Sequence, residues 1–290
     1  MALIPYDDRD GFIYMDGKML PWREAQIHVL THALHYGSCV FEGERAYNGK
    51  IFKSRQHSER LVKSAQILGM DMPMSVDEME AVKLEVMKAN NVTDGYMRVV
   101  AWRGAEQMGI SAQATKTHIA FCTWEWPSYF SPEKRENGIR LKTGPWKRPA
   151  PDTAPTQAKA AGLYMICTIS KHAVEKEGYD DALMLDYRGF VAEATGANIF
   201  LIKDGEVHTP PTDCFLNGIT RQTLIQLCKD HGITLHERHI KPEELPGFQE
   251  CFLTGTAAEV TAVGSIDEHK FTVGPVVRKL RDAYEALVRA

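Results

Sequence analysis

The sequence predicts a mixed α/β (α+β) protein built from two lobes, and three observations support this. The chain has 290 residues, whereas an average domain has roughly 150. Segments with strand and helix patterns are mixed along its length. The pattern breaks at WPSYFSPEKREN, residues 126–137, which has two prolines and several charges. We therefore expect an N-terminal lobe over residues 1–125, an interdomain loop over 126–137 and a C-terminal lobe over 138–290.

Strands are predicted where β-branched and aromatic residues are bounded by turn residues. The Asp-Gly pair at 16–17 and the Asn-Gly pair at 48–49 are typical of tight hairpin turns. In the N-terminal lobe the expected strands are Phe12–Met15, Lys18–Pro21, Cys39–Tyr47, 51–52, 96–102 and 118–124. In the C-terminal lobe they are Ile139–Thr143, 181–186, 190–194 and Asn198–Lys203.

Helices are predicted between capping signals. Ser54 is the expected N-cap of a helix over 55–68, and Ser75 with Glu78 forms a capping box at the start of the next. The remaining helices are expected over 163–176, 221–230 and 275–289. One face of the last helix carries four apolar side chains that we expect to be buried: Val277, Leu280, Tyr284 and Leu287.

Composition argues against several classes of partner. The 34 Lys and Arg residues against 38 Asp and Glu give a net charge of −4, so no basic surface for a nucleic acid is expected. No apolar run approaches the roughly 18–20 residues that span a bilayer. The six cysteines are scattered without a C-x-x-C pair, and the first residues, MALIPYDDR, lack a signal-peptide pattern. We expect a cytoplasmic protein that binds neither nucleic acid nor membrane.

Three histidines have a spacing that metal ligands can use. His28, His32 and His35 would lie on one side of a helix. No carboxylate or cysteine stands close by to complete a metal site. We therefore expect a packed or hydrogen-bonded histidine face, and no bound metal.

Lys159 and Glu193 are the first candidates for chemistry. Lys159 stands among small residues in TQAKAAGLY, which would let a flat cofactor approach its amine, and Tyr164 follows five positions later. Glu193 ends an apolar strand in EATGANIF, where a buried carboxylate needs a cationic partner such as a protonated pyridine nitrogen. Taken alone, each has a structural alternative: Lys159 as a solvated helix residue and Glu193 as a surface acid before a turn.

Other segments could bind anions. LNGITR at 216–221 would present free N–H groups and a hydroxyl at the start of a helix, with Thr220 as its N-cap. TGTAAE at 254–259 also combines hydroxyls with accessible amides. Tyr96 and Arg98 share one face of their strand, and the arginine could fork onto a carboxylate. A plain helix cap and a structural ion pair are the alternatives here.

In this order the segments closely resemble the fold type IV pyridoxal-phosphate enzymes, and within them the branched-chain amino-acid aminotransferases. The resemblance extends from about Phe12 to the C-terminus. Its most specific elements are YGSCVFEG at 36–43 with Arg45, and the segments 159–164, 193–200, 218–221 and 254–259. It implies a smaller N-terminal α/β lobe, a larger C-terminal lobe with a β-barrel-like core, and an active site between them. It also implies a homodimer or a higher oligomer, in which we expect the loop around Gln107-Met108-Gly109 to reach the neighbour's pocket.

The resemblance assigns roles residue by residue. Lys159 matches the Schiff-base lysine, Glu193 the acid that keeps the pyridine nitrogen protonated, and Tyr164 the phenol near the ring oxygen. The other matches on the cofactor side, mostly around its phosphate, are Arg60, Leu216, Ile219, Thr220 and Thr256. The matches on the substrate side are Tyr36, Phe41, Gly43, Tyr96, Arg98, Trp126, Tyr129 and Ala257.

The implied reaction is a pyridoxal-phosphate-dependent transamination. Leucine, isoleucine or valine would react with 2-oxoglutarate to give branched 2-oxo acids and L-glutamate. The sequence departs from the family pattern at Leu163, where asparagine is more usual, and at Glu44, where an aliphatic residue is usual. We expect Glu44 to affect specificity little, because it alternates away from Phe41 and Gly43. Alternatives of the same fold are a D-amino-acid or (R)-amine transaminase and an aminodeoxychorismate lyase; a cofactor-binding protein without catalysis is a further one.

Overall fold

The computed structural model describes residues 4–126 and 132–290. The described residues form two compact units, one of residues 4–126 and 158–162, the other of 132–157 and 163–290. The short segment that carries Lys159 therefore belongs to the first unit, although the sequence assigned it to the C-terminal lobe. Each unit has its own sheet.

The N-terminal unit is a six-stranded antiparallel sheet with helices packed on it. Its strands are β1 (Phe12–Met15), β2 (Lys18–Pro21), β3 (Cys39–Tyr47), β4 (Lys50–Ile51), β5 (Gly95–Arg103) and β6 (Thr117–Glu125). Its helices are a 3-10 turn (Trp22–Glu24), α1 (His32–Tyr36), α2 (Ser54–Ile67) and α3 (Val76–Ala89). The strand order is β2-β1-β6-β5-β3-β4, which places β3 beside β5 near the edge of the sheet, with α2 packed against β3.

The C-terminal unit is built on nine strands. They are β7 (Ile139–Thr143), β8 (Asp181–Leu185), β9 (Val191–Ala194), β10 (Asn198–Lys203), β11 (Glu206–Thr209), β12 (Leu235–Glu237), β13 (Glu250–Gly255), β14 (Glu259–Ile266) and β15 (His269–Lys270). The helices are α4 (Pro132–Asn137), α5 (Met165–Glu175), α6 (Ile219–Asp230) and α7 (Pro275–Val288), with a 3-10 turn at Pro242–Gly247. A further 3-10 turn, Ala161–Tyr164, spans the boundary between the two units in the sequence.

Six of these strands form a closed ring. The order β10-β13-β14-β7-β8-β9 is continuous, and β9 pairs again with β10. Apolar side chains of the ring strands, among them Leu183, Ile199, Leu253 and Val263, are buried in one core cluster. The mixed α/β class and the barrel-like core of the C-terminal lobe are both confirmed.

Two predicted helix caps are wrong. The N-cap of α2 is Lys53, whose φ of 52° lies in the left-handed region, and Ser54 is the first helical residue. The Ser54 hydroxyl accepts a hydrogen bond from Lys83 at 3.1 Å, so a tertiary contact takes the place of capping. In α6 the N-cap is Gly218, so Thr220 lies inside the first turn. The capping box of Ser75 and Glu78 is confirmed.

Two other helical predictions are corrected. In α7, Leu287 is exposed, and Val288, four residues after Tyr284, takes the buried position instead. This follows from the helical repeat, which brings residues four apart onto one face as readily as residues three apart. α4 lies within 126–137, where the sequence predicted only a loop. Proline is well suited to the first position of such a helix.

The three histidines do not share a helix. His28 precedes α1, and only His32 and His35 lie within it. Each ring is hydrogen-bonded to the backbone: His28 to Leu30, His32 to Gly109 and His35 to Val29. The expectation of hydrogen-bonded histidines is confirmed, and the shared helical face is not.

None of the helices within residues 4–126 and 132–290 has both the length and the apolar character needed to cross a membrane. All six cysteines are free thiols. Burial raises the pKa of Cys39 and of Cys122 to about 11, although Arg98 opposes the shift. These two thiols are therefore protonated, and weak nucleophiles, at neutral pH.

Candidate active site

In the N-terminal unit, β3 and β5 bring together four of the eight residues predicted to bind substrate. Gly43 lies opposite Arg98 in the ladder, and a Cβ at Gly43 would stand 1.8 Å from the Tyr96 hydroxyl oxygen. Glycine is therefore required for the Tyr96 ring to occupy this position. Arg98 Nη2 donates to that hydroxyl at 3.3 Å, and its guanidinium lies 4.7 Å from the centre of the Phe41 ring. The Trp126 ring extends the wall, 5.4 Å from that of Tyr96.

Lys159 is held beside these residues by its backbone. Its N–H donates to Ser64 Oγ on α2 at 3.0 Å, and its carbonyl accepts from the N–H of Phe41 at 3.1 Å. Ala160 forms an isolated bridge with Val40 on β3. Lys159 Nζ lies 4.9 Å from the centre of the Phe41 ring. We name this cluster the lysine group: Lys159, Phe41, Gly43, Tyr96, Arg98 and Trp126.

Arg60 is fixed by a buried acid. Its Nε donates to Oε1 of Glu42 and its Nη2 donates to Oε2, each at 2.7 Å. Glu42 is fully buried. His57 Nδ1 lies 2.7 Å from the same carboxylate. Burial opposes ionisation of Glu42, but Arg60 and His57 more than offset it and hold the pKa of Glu42 well below its usual range. The guanidinium is thereby held in one orientation by a bidentate ion pair.

Two residues of β3 received no individual role from the sequence, although both lie in the segment that carries the resemblance. Glu42 points to the face opposite Phe41, where it contacts His57 and Arg60 of α2. The alternation of side chains along a strand predicts this direction. Arg45 shares the face of Phe41 and Gly43 through its i+4 and i+2 spacing. It is buried, and its Nε and Nη1 have no hydrogen-bond partner among the described residues. A buried guanidinium of this kind could bind an anion.

In the C-terminal unit, Glu193 is a buried carboxylate with an amide donor on one oxygen and a guanidinium near the other. Asn198, its partner on β10, donates to Oε2 at 3.0 Å. Arg148 Nε lies 3.4 Å from Oε1. Burial disfavours the charged form of Arg148, but Glu193, Cys167 and Tyr164 more than offset this and raise its pKa. Glu193 is thus a buried acid with an amide donor and a guanidinium close to it, and is not a surface residue.

The start of α6 lies beside Glu193. Asn198 also bonds the carbonyl of Leu216 and the N–H of Gly218, the residue that precedes α6. Within the described part of the chain no side chain caps α6, so the N–H groups of Ile219 and Thr220 point out of its N-terminus. We name this cluster the glutamate group: Glu193, Arg148, Asn198, Leu216, Gly218, Ile219 and Thr220.

The turn between β13 and β14 adjoins the loop after Glu193. A Cβ at Gly255 would stand 3.3 Å from the carbonyl oxygen of Gly196. Thr254, opposite Asn198 in the ladder, has a buried hydroxyl without a hydrogen-bond partner among the described residues. Thr256 and Ala257 follow in the turn and are half-buried. A buried hydroxyl at the end of β13 is therefore available for a ligand beside this turn.

Tyr164 and Leu163 lie at the start of α5. Tyr164 is half-buried, and its effect on the pKa of Arg148 puts it in the neighbourhood of that guanidinium. Leu163 meets Arg148 through its carbonyl, 3.4 Å from Nη1. Because this contact is made by the backbone, the departure from asparagine at 163 does not remove it.

Two predicted substrate residues lack support from this geometry. Tyr36 ends α1, is exposed, and has its described ring contacts with His32 and His35. Tyr129 lies outside the described residues.

Potential metal ligands gather at two other places. Glu206, His208 and His236 form one group, and Asp186, Asp213 and Cys214 the other. In each group, an arginine already donates hydrogen bonds to the potential ligands. Arg238 donates to His208 at 3.2 Å, and Arg188 donates to both aspartates of the second group at 2.6–2.9 Å. These contacts satisfy the groups internally and place a positive charge where a cation would bind.

Comparison with known proteins decides the family. The model of the family described as amino-transferase class IV matches residues 39–266. The chain belongs to the class IV aminotransferases. A Rickettsia felis protein named as a probable branched-chain-amino-acid aminotransferase is 43% identical to this class IV aminotransferase, and the match covers all of both chains. A Pseudomonas aeruginosa branched-chain-amino-acid aminotransferase is 41% identical, with 97% of this chain and 94% of that protein covered.

A solved structure agrees with these relatives. The branched-chain amino acid aminotransferase of Thermobaculum terrenum, crystallised in its PLP-form, is 29% identical to this aminotransferase. Its TM-score is 0.88, over 97% of this chain and 95% of that one. The fold type IV architecture implied by the sequence is confirmed.

Proposed function

We propose that this class IV aminotransferase transfers the amino group of leucine, isoleucine or valine to 2-oxoglutarate, with pyridoxal phosphate as cofactor. The observation that carries the proposal is the lysine group, in which an amine lies beside an aromatic wall with an arginine in it. The names of the Rickettsia and Pseudomonas relatives support the same activity.

The residues present fit pyridoxal phosphate. The uncapped N-terminus of α6 suits a phosphate, because backbone N–H groups and the helix dipole both favour an anion there. Arg60 adds a fixed positive charge. Glu193 suits a protonated pyridine nitrogen, since a buried carboxylate is stabilised by a cation. Tyr164 would contact the ring oxygen.

Each group has a defined part in the reaction. When bound, pyridoxal phosphate supplies a protonated ring that withdraws electrons from the α-carbon of the amino acid. Glu193 would hold the proton on the ring nitrogen, and Asn198 and Arg148 would position its carboxylate. The Lys159 amine is the general base that takes the proton from the α-carbon of the substrate.

The lysine group explains how one pocket could accept two kinds of side chain. The rings of Phe41, Tyr96 and Trp126 suit a branched aliphatic chain. Arg98 and the Tyr96 hydroxyl suit the distal carboxylate of glutamate. The backbone amides at Thr256 and Ala257 are the proposed ligands of the substrate's own carboxylate.

A donor panel tests this function. We expect 2-oxoglutarate to be converted to L-glutamate with L-leucine, L-isoleucine and L-valine as donors, and D-alanine and an (R)-amine to be at least about 100-fold poorer in kcat/KM. The readout is L-glutamate formed by the purified, cofactor-loaded enzyme, with no donor as the control. Efficient use of D-alanine, or release of an aromatic product from aminodeoxychorismate, would contradict the proposal in favour of the related activities.

We also propose that the protein is a homodimer or a higher homo-oligomer. The segment around α1 and the loop after β5 carry exposed apolar side chains, among them Val29 at 70%, Leu34 at 61% and Ile110 at 89% exposure. His32 joins the two segments, since its backbone bonds Gly104 and its ring bonds Gly109. An apolar patch of this kind is typical of a protein interface.

Substitution within the patch tests this assembly. Ile110→Asp is expected to weaken self-association by about 10-fold or more, because a carboxylate would be buried in an apolar contact. Analytical ultracentrifugation over a range of protein concentrations measures this. Leu84→Asp on α3 is the matched control, since Leu84 is also exposed at 61%. A wild-type protein that stays monomeric would contradict the assembly.

A further inference from the structure

Asn198 connects two parts of the glutamate group that the proposed function treats separately. Its Nδ2 donates to Glu193 Oε2 at 3.0 Å and to the carbonyl of Leu216 at 3.1 Å. Its Oδ1 accepts from the N–H of Gly218 at 3.2 Å. Both N–H groups of this side-chain amide thus donate a hydrogen bond, its oxygen accepts one, and the residue is buried.

The position of this amide is set from both sides. On one side, Asn198 lies directly opposite Glu193 in the β9–β10 ladder. On the other side, a Cβ at Gly218 would stand 2.3 Å from Asn198 Oδ1. Gly218 has φ −60° and ψ 140°, a conformation open to any residue. Glycine is therefore needed at 218 for its close approach to Asn198, and not for its backbone conformation.

The second partner of Glu193 does not share this connection. Arg148 approaches the other carboxylate oxygen, and the described hydrogen bonds of its side chain are to Leu163 and Cys167, near the start of α5. Asn198, in contrast, bonds the residues that lead directly into α6. Among the described side-chain hydrogen bonds, those of Asn198 therefore connect Glu193 with the start of α6.

We propose that Asn198 is a positioning residue that couples the contact of Glu193 with the cofactor's ring nitrogen to the contact of α6 with the cofactor's phosphate. The inference rests on the proposed function, since it requires pyridoxal phosphate to be held at both places. It goes further by predicting that a change on the phosphate side alters binding at the ring nitrogen. A purely local role for each residue makes no such prediction.

Gly218→Ala tests the coupling, with pyridoxal, which lacks the phosphate, as the probe. Because the added methyl group pushes on Asn198 Oδ1, we expect pyridoxal to bind the apoenzyme about 10-fold more weakly, which corresponds to about 1.4 kcal/mol. Pyridoxal phosphate should be weakened at least as much. Absorbance titration of the apoenzyme measures both affinities, and the pH titration of the bound pyridoxal band reports on its ring nitrogen.

Two further variants separate the coupling from general disturbance. Asn217→Ala removes the neighbouring amide, which bonds Arg221, and should leave pyridoxal affinity within about 2-fold of wild type. In an Asn198→Ala background, Gly218→Ala should cause no further loss of pyridoxal affinity, because the atom it would strike is gone. Thermal unfolding checks that each variant is folded.

The outcomes distinguish a failure of the proposed function from a failure of the coupling. If the wild-type apoenzyme binds no pyridoxal phosphate, the proposed function fails, and this inference fails with it. If wild type binds normally and Gly218→Ala weakens pyridoxal phosphate but not pyridoxal, Gly218 acts on the phosphate alone and the coupling is overturned. Additive losses from Asn198→Ala and Gly218→Ala would also overturn it.

Discussion

Replacement of Lys159 by alanine is expected to abolish both half-reactions of the transamination. The amine would be lost both as the group that bonds covalently to the cofactor and as the general base at the substrate α-carbon. We expect the rate of each half-reaction to fall by about 10⁴-fold or more. Stopped-flow absorbance of the cofactor, mixed with L-leucine or with 2-oxoglutarate, measures the two rates separately.

The variant is expected to fold, which makes the test specific to chemistry. The contacts with Ser64 and Phe41 are made by the backbone of residue 159, so alanine retains both. Lys63→Ala, an exposed lysine on α2, is the matched control and should keep wild-type rates. Borohydride reduction should attach the cofactor to residue 159 of wild type and to no residue of the variant. A Lys159→Ala enzyme with measurable turnover near wild type would refute the assignment.

Ten of the fifteen strands in the described residues were predictable because their signals are local, whereas β11 to β15 were not predicted. The Asp-Gly and Asn-Gly turns set the hairpins, and β1, β2, β3, β7 and β10 begin and end as the sequence predicts. Helix caps were less predictable. Ser54 has the right chemistry for a cap, but Lys83, 29 residues away in sequence, binds its hydroxyl. Local propensity could not reveal this competition.

The candidate site was predictable only in part, and for a physical reason. Tyr96 and Arg98 share a strand face, so alternation alone placed them together. Arg60, in contrast, is ordinary in sequence, and its fixed orientation depends on Glu42 from another element. The lysine segment was expected in the C-terminal lobe, and its hydrogen bonds to α2 and β3 depend on contacts about 95 and 118 residues away in sequence. Resemblance to a family supplied the roles where local pattern could not.

For Glu44, strand alternation predicts the direction of the side chain but not its partner. Alternation correctly turned it away from Phe41 and Gly43, but the residue it meets, Lys83 on α3, was not predicted. Both side chains are almost completely buried, and Lys83 Nζ lies 2.8 Å from Glu44 Oε2. Burial raises the pKa of Glu44 to about 8, although Lys83 opposes the shift. Desolvation therefore outweighs the ion pair at this position.

Loss of one partner of this pair should be far more damaging than loss of both. Above pH 8, where Glu44 is ionised, Lys83→Met leaves a buried carboxylate without its cation, and we expect it to lower the free energy of unfolding by about 3–5 kcal/mol. The double variant with Glu44→Ile, which replaces the buried acid by an aliphatic side chain, should return to within about 1 kcal/mol of wild type or exceed it. Urea denaturation measures both, and Lys88→Met, exposed on the same helix, is the control.

The same pair should give the wild-type protein a pH dependence that the double variant lacks. Because the pKa of Glu44 rises from 4.5 to about 8 on folding, the folded state binds more protons between these values. The contribution of this group to stability is therefore complete below pH 4.5 and falls as the pH rises towards 8. Denaturation midpoints that fall equally with pH in wild type and in the double variant would show that another group is responsible. A double variant as unstable as Lys83→Met would show that Lys83 acts through its bonds to Ser54 and Ser58 instead.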